Sequence, residues 1–186
     1  MVRMGRHGAI SGLELPGDAV IVDASMVFDH AALYVASPEE IWPWIVQLGK
    51  WRGGWYMPSR LERLLIWSSR RRAATAVEDR WQHLSVGDRV PDYGGRDEEF
   101  EVVVIDPPHA LVYRSRRRRA TFTWALVLTD LDDGRTRLHT RFRGRIGSTG
   151  LRHDVLVRLG AFADWATISL MFAGLRERLG DARPDA

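Results

Sequence analysis

Residues 152–179 read RHDVLVRLGAFADWATISLMFAGLRERL. Charge sits at the two ends, in Arg152, Asp154, Arg158, Arg176, Glu177 and Arg178. Between them Phe162, Trp165, Ile168, Leu170, Met171, Phe172 and Leu175 leave the segment apolar nearly all round. The spacing predicts one helix about 40 Å long at 1.5 Å per residue. A helix apolar on most faces is buried on most faces. The charge in that middle is Asp164. A carboxylate there is costly unless paired or put to use. Two readings stay open: a structural pair with an Arg or a Trp N–H, or a cavity carboxylate that moves protons. Gly160, Asp164 and Met171 share a face, and Gly160 would let the sheet or a ligand come close.

The rest of the chain supplies what surrounds this helix. Residues 1–25 carry no periodic pattern and read as an irregular N-terminal arm lying across one domain of residues 26–182. Phe28 to Val35 reads as a strand. Ser37-Pro38-Glu39-Glu40 is a complete helix start: Ser37 caps, Pro38 suits the first turn and Glu40 closes the capping box. That helix carries Ile41, Trp44, Ile45 and Leu48 on one face and should stop at Gly49. A short helix follows around Arg60 to Trp67, with Leu61, Leu64 and Leu65 apolar. Ser68 to Trp81 is the least patterned stretch, read as either a lid or a surface loop.

From Val86 the period becomes that of strands. Gly87 to Val90 leads into a Gly94-Gly95 turn, and Phe100 to Ile105 is ended by Asp106-Pro107-Pro108. Leu111 to Ser115 comes next, then a hairpin of Thr121–Leu131 and Thr136–Arg145 around Asp132-Asp133-Gly134. About six antiparallel strands, segregated from the helices, imply an α+β class. The simplest packing wraps a curved antiparallel sheet around the long C-terminal helix, with two short helices after the first strand.

Several stretches then match a known pattern: Leu15-Pro16-Gly17-Asp18, the run Ala36-Ser37-Pro38-Glu39-Glu40-Ile41-Trp42-Pro43-Trp44-Ile45-Val46-Gln47-Leu48-Gly49, Arg52-Gly53-Gly54-Trp55-Tyr56, Leu61-Glu62, Val86-Gly87-Asp88-Arg89-Val90-Pro91, Thr123-Trp124 and Gly134-Arg135-Thr136-Arg137-Leu138. Together they resemble the START-like superfamily, also called SRPBCC, whose members include polyketide cyclases and dehydrases. The resemblance implies the helix-grip fold and a bacterial subgroup with the pattern P-P-E-x-V-W-P-W-L-V-Q-x-G-x-x-R-G-G-F-Y. Ser37 stands where the family usually has Pro, and Met57-Pro58-Ser59 replaces a Ser-Tyr-Asp stretch. Ala32 and Tyr34 hold places usually filled by aliphatic residues. By strand alternation His30, Ala32 and Tyr34 share one face.

Composition narrows the chemistry. At 186 residues the prior is one domain. The absence of Cys excludes a disulfide framework, a thiolate zinc site and a Cys nucleophile. It fits a reducing cytoplasm. The longest uncharged apolar run, Trp165 to Leu175, falls well short of the ~20 residues of a membrane helix, and MVRMGRHGAI lacks a signal-peptide core. The net charge is +3, and Lys50 is the only lysine. The runs Arg70–Arg72 and Arg116–Arg119 could hold phosphate but read as solvated loop charge. Arg137, His139, Arg141 and Arg143 alternate onto one strand face, expected to be a solvent-facing basic stripe open to nucleic acid or an acidic carrier protein. No G-x-S-x-G, P-loop, G-x-G-x-x-G or H-E-x-x-H is present. The six His show no metal-ligand spacing. No metal and no cofactor are expected.

Eight Trp are the compositional anomaly. Each suits a core or a pocket wall, and several are expected to line a cavity, since ligand pockets are mostly apolar and aromatic. The expected ligand-binding residues are Tyr34, Trp44, Trp51, Trp55, Tyr113, Trp124, Phe142, Trp165, Ile168 and Phe172. The candidate catalytic groups are Asp164, Tyr56 and His30. The sequence thus points to binding of a small hydrophobic ligand, aromatic or polyketide-like, between the sheet and the last helix. The alternative is a cofactor-independent cyclase, dehydratase or isomerase using general acid–base catalysis. An adaptor for nucleic acid or a carrier protein ranks last, because +3 is a small charge for such work. Oligomeric state is not specified.

Overall fold

The capping box forms as the sequence dictates. In α1 (Pro38–Val46) the Ser37 hydroxyl accepts from the Glu40 amide at 3.3 Å, and the Glu40 carboxylate accepts from the Ser37 amide at 2.8 Å. The helix buries Ile41, Trp44 and Ile45. The chain then reverses at Gly49, which has a φ of 135° and lies so close to Val90 that a Cβ would stand 2.5 Å from its Cγ1. The computed structural model describes residues 2–5, 12–65, 72–93, 98–117, 120–146 and 151–180; of residues 2–5, 65, 151–160 and 162 it describes the backbone alone. Trp67, Arg70, Arg71, the Gly94-Gly95 turn, Arg118 and Arg119 lie outside the described residues.

The strands are β1 (Val2–Gly5), β2 (Met26–Tyr34), β3 (Arg89–Pro91), β4 (Glu99–Asp106), β5 (Ala110–Arg117), β6 (Ala120–Asp130) and β7 (Thr136–Ile146), with α2 (Ser59–Leu65) between α1 and β3 and α3 (Leu151–Leu179) last. They form one sheet in the order β1-β2-β7-β6-β5-β4-β3. Six strands pair antiparallel, as expected, and β1 adds a parallel edge strand that the unpatterned N-terminus did not announce.

Register sorts the side chains. Phe28, Phe142, Trp124 and Tyr113 lie side by side across β2, β7, β6 and β5, and the next row holds His30, Thr140, Leu126 and Leu111. These rows face α3. The helix runs alongside β2, with Ala161 packed against Met26 and Phe28, and the Tyr34 hydroxyl donating to the Phe172 carbonyl at 3.2 Å. This is the helix-grip arrangement that the resemblance implied.

Two expectations fail. The first is that α3 is buried on most faces. Ile168, Met171, Phe172 and Leu175 are buried, whereas Ala163, Trp165, Thr167 and Ser169 are exposed. A single sheet can cover one side of a helix, and the small and hydroxylated residues fall on the other. The second is the solvent-facing basic stripe. His139 and Arg141 are each only 3% exposed because residues 12–25 lie over them. Arg141 donates to the Leu13 carbonyl and the Asp18 carboxylate, Arg143 to the Ile21 carbonyl, and Arg145 to Asp23. Asp29, on β2, accepts from both His139 and Arg141. The arm's carboxylates neutralise the stripe.

Among the described residues no helix is long and apolar enough to cross a membrane.

Candidate functional site

Four inward positions on α3, Asp164, Ile168, Met171 and Leu175, fall at helical spacing on one stripe. The last three are buried among apolar side chains. Asp164 instead meets His30: the imidazole Nε2 donates to the carboxylate Oδ2 at 2.7 Å. Sequence reading singled out both residues but not their partnership. Their side chains are 16% and 17% exposed. Directly opposite His30 on β7 is Thr140, with the two Cβ atoms about 5 Å apart in such a pair. Its buried hydroxyl has no hydrogen-bond partner. Nε2 is committed to the carboxylate, which leaves Nδ1 as the imidazole's other nitrogen.

An aromatic wall flanks this pair. Trp124 stacks on Tyr113 (centroids 5.9 Å apart) and on Trp55 (5.5 Å), and Phe100 lies 6.3 Å away. Trp55 also reaches the helix, its indole N–H donating to the Thr167 carbonyl at 3.3 Å. Nearer His30, Phe142 stacks with Phe122 and Phe28. Coverage is uneven along the helix. Toward Tyr34 the concave face is sealed, with Leu128 and Leu138 buried, whereas His30, Phe122, Phe142 and Ile146 are only half-buried, Leu126 being buried in the His30 row.

The remaining sequence-selected residues lie elsewhere. Tyr56 is buried, donates to the Trp44 carbonyl at 2.7 Å and meets the Trp44 ring edge-on. Arg178 stacks over the Tyr56 ring at 4.6 Å. That cation is fourteen positions past Asp164 on α3, about 20 Å along the axis, so Tyr56 belongs to the far end of the grip. Burial pushes its phenol well above the usual range. Tyr34, Ile168 and Phe172 belong to the continuous core. Trp51 and Trp165 are exposed, Trp165 by 48%. Thr140, Phe28, Phe122 and Phe100 were not selected from sequence, and strand register was the missing signal.

Of the stretch read as either a lid or a surface loop, residues 72–81 are tied to the body. Ala74 N–H donates to the Gly53 carbonyl, Glu78 N–H to the Gln47 side chain, and Trp81 is sandwiched between Arg52 and Arg80. A separate cleft of about 170 Å³, lined by Arg89, Arg114, Arg116 and Glu98, Glu99, Glu101, contains the Arg89–Glu99 and Arg114–Glu101 ion pairs. Among the described residues no three His, Asp or Glu gather to hold a metal ion.

No protein-family model and no curated protein matches this sequence. Solved structures do. A hypothetical protein from Helicobacter pylori is 13% identical, with 91% of this chain and 97% of that one aligned at a TM-score of 0.56. A protein of unknown function from Staphylococcus aureus is 14% identical over 86% of this chain and 96% of that one, at 0.55. An HSP90 activator from Plasmodium falciparum is 18% identical over 86% of this chain and all of that one (100%), at 0.53. At such identities the likeness shows a shared fold and nothing about activity.

Proposed function

We propose that this protein binds a small hydrophobic molecule, aromatic or polyketide-like, between the concave face of the sheet and the part of α3 around Asp164. The observation that carries the proposal is the inward-facing His30–Asp164 pair, 2.7 Å apart on an otherwise aromatic face that is only half-covered there. Ligand sites combine apolar walls with a few placed polar groups, and this region has that composition. The aromatic rings supply the apolar area, and the imidazole and the Thr140 hydroxyl supply polar contacts. A cytoplasmic setting belongs to the same proposal, on the strength of the cysteine-free composition. The test is titration with phenylnaphthylamine, a neutral apolar fluorophore, reading Trp quenching alongside. Saturable binding at one probe per chain, weakened by Phe142→Ala, is expected. Absence of saturable binding refutes the proposal.

The same pair favours a second reading, a cofactor-independent lyase or isomerase. A carboxylate that orients an imidazole leaves the other ring nitrogen free to take a proton from a bound carbon acid and return it. A ligand with an acidic C–H should then exchange that proton for solvent deuterium faster on the wild type than on Asp164→Asn. Equal exchange with retained affinity would leave binding as the whole function. The adaptor reading loses the basic stripe, which is covered by residues 12–25, and keeps only the two Arg runs.

A further inference from the structure

The Arg52-Gly53-Gly54-Trp55 stretch is unexplained by the pair at His30. Its turn is tightly built. Trp51 has a φ of 64°, a conformation disfavoured for a bulky side chain. A Cβ on Gly53 would stand 2.7 Å from the Gln47 carbonyl oxygen, and one on Gly54 2.8 Å from the Ala73 Cα. This turn carries Arg52 inward, where its guanidinium lies over the Trp81 ring at 4.9 Å.

Arg52 has no carboxylate partner among the described residues. One terminal nitrogen donates to the carbonyls of Val46 (3.1 Å) and Trp81 (2.7 Å), while its buried Nε–H has no acceptor. The buried indole N–H of Trp81 also lacks one, and so does the hydroxyl of Tyr113, a residue only 2% exposed. Tyr113 and Arg52 are near enough to interact electrostatically, with Asp88 and Tyr56 the other groups in range. Burial lowers the proton affinity of Arg52 and pushes the Tyr113 phenol up. Asp88 accepts from the Ser85 amide through Oδ2 at 2.8 Å and forms no ion pair with Arg52. Two of the three unpartnered groups can only donate, and the phenol can donate as well. Two donor-only N–H groups, one of them on the half-buried permanent cation itself, and a phenol are left unpaired here, and an anionic acceptor from outside would satisfy them.

We infer that Arg52, Trp81 and Tyr113 form a receptor for an anionic group, a carboxylate or sulfonate, on the hydrophobic ligand. The inference rests on the ligand-binding reading above and deepens it: the ligand is an acid. Tyr113 joins the two regions, since its ring is stacked in the aromatic wall against Trp124 and it lies within electrostatic range of Arg52.

The test compares two probes of the same body, anilinonaphthalene sulfonate and neutral phenylnaphthylamine, on the intact chain. The wild type should prefer the sulfonate by about tenfold or more, the scale of a hydrogen bond to a charged group. Arg52→Gln and Tyr113→Phe should each remove most of that preference. Tyr113→Phe deletes a hydroxyl with no partner, so it should keep the fold even where Arg52→Gln, which loses two carbonyl contacts, does not. Arg116→Gln removes the same charge from the exposed end of β5 and should change nothing. Equal affinity of the two probes for the wild type overturns the receptor while the cavity stands, as does a preference that survives both substitutions. If the neutral probe fails and the sulfonate binds in an Arg52-dependent way, the receptor stands and the apolar-cavity reading falls. Failure of both probes overturns both.

Discussion

Asp29→Asn tests whether the arm is locked onto the sheet by charge. The Asp29 carboxylate accepts from His139 Nε2 at 2.8 Å and from Arg141 Nε at 2.6 Å. Arg141 is 3% exposed, and its Nη2 already lacks a partner. Breaking a buried pair on one side costs about 3–5 kcal/mol. Two features reduce that here: Asp18 still holds Arg141 Nη1 at 2.7 Å, and both bonds fall on Oδ1, so the Asn oxygen can keep them and what is lost is the charge. The expected loss is about 2–3 kcal/mol, or roughly 5–10 °C in Tm for a chain of this size. Urea unfolding followed by Trp fluorescence measures it.

The pH dependence gives a second, sharper readout. Burial opposes ionisation of Asp29, but the hydrogen bonds and charges of His139 and Arg141 outweigh it, and the carboxyl is held below its ordinary value. The unfolded chain, with a carboxyl near ~3.9, therefore binds this proton first as pH falls. The advantage of wild type over Asp29→Asn should be complete above about pH 5 and should shrink below about pH 4. A variant within about 0.5 kcal/mol of wild type at neutral pH, a small surface-type effect, refutes the reasoning. So does a gap that stays constant on acidification.

Three further outcomes are expected. Gly174→Ala should gain up to about 1 kcal/mol in helix propensity yet lose stability overall, because the new Cβ would stand 2.5 Å from the Met57 amide nitrogen and 2.7 Å from its Cα; a variant that melts higher than wild type contradicts this. Ser37→Ala should cost about 1 kcal/mol through the lost cap with probe affinity unchanged, which separates scaffold from site. Trp55→Leu removes the stack on Trp124 and the bond to the Thr167 carbonyl; an aromatic pair is worth about 0.5–1.5 kcal/mol, so phenylnaphthylamine binding should weaken several-fold, and undiminished binding would place the ligand elsewhere.

Local signals were legible in the sequence, and long-range ones were not. The Ser37 cap, the turn at Asp132-Asp133-Gly134 and the strand alternation of β6 and β7 each depend on a few adjacent residues, and each appears in the structure. His30 and Asp164 are 134 positions apart. Each was conspicuous alone, one on an inward strand face and one in an apolar helix, but their meeting depends on how far α3 slides along β2. Alternation correctly put Arg137, His139, Arg141 and Arg143 on one face, yet it cannot say what covers a face. The covering segment, with Asp18 and Asp23, is irregular and has no period to read. The α3 misreading has another cause: counting its large apolar residues hid the small and hydroxylated ones, Ala163, Thr167 and Ser169, that are exposed.

Two ion pairs on α3 show how a structural pair differs from an available one within the same helix. Arg178 and Glu62 are each 6% exposed. The guanidinium also donates to the carbonyls of Ala74, Met57 and Gly174, and the carboxylate accepts from the Ala73 amide. Together these contacts tie the end of α3 to α2, to Met57 before it and to the segment after residue 72, so this pair is a clamp with its hydrogen-bonding capacity spent. His30 and Asp164 share one hydrogen bond, and among the described residues neither side chain makes another. They keep about three times the exposure of the clamp, beside a threonine hydroxyl with no partner. A pair selected only to fasten the helix would gain from the saturation seen at Arg178, since unmet polar groups in a half-buried site cost stability. Capacity left open on the concave face is what a site for an exchangeable polar partner requires. The grip is therefore closed at its C-terminal end by Arg178 and left chemically available at Asp164.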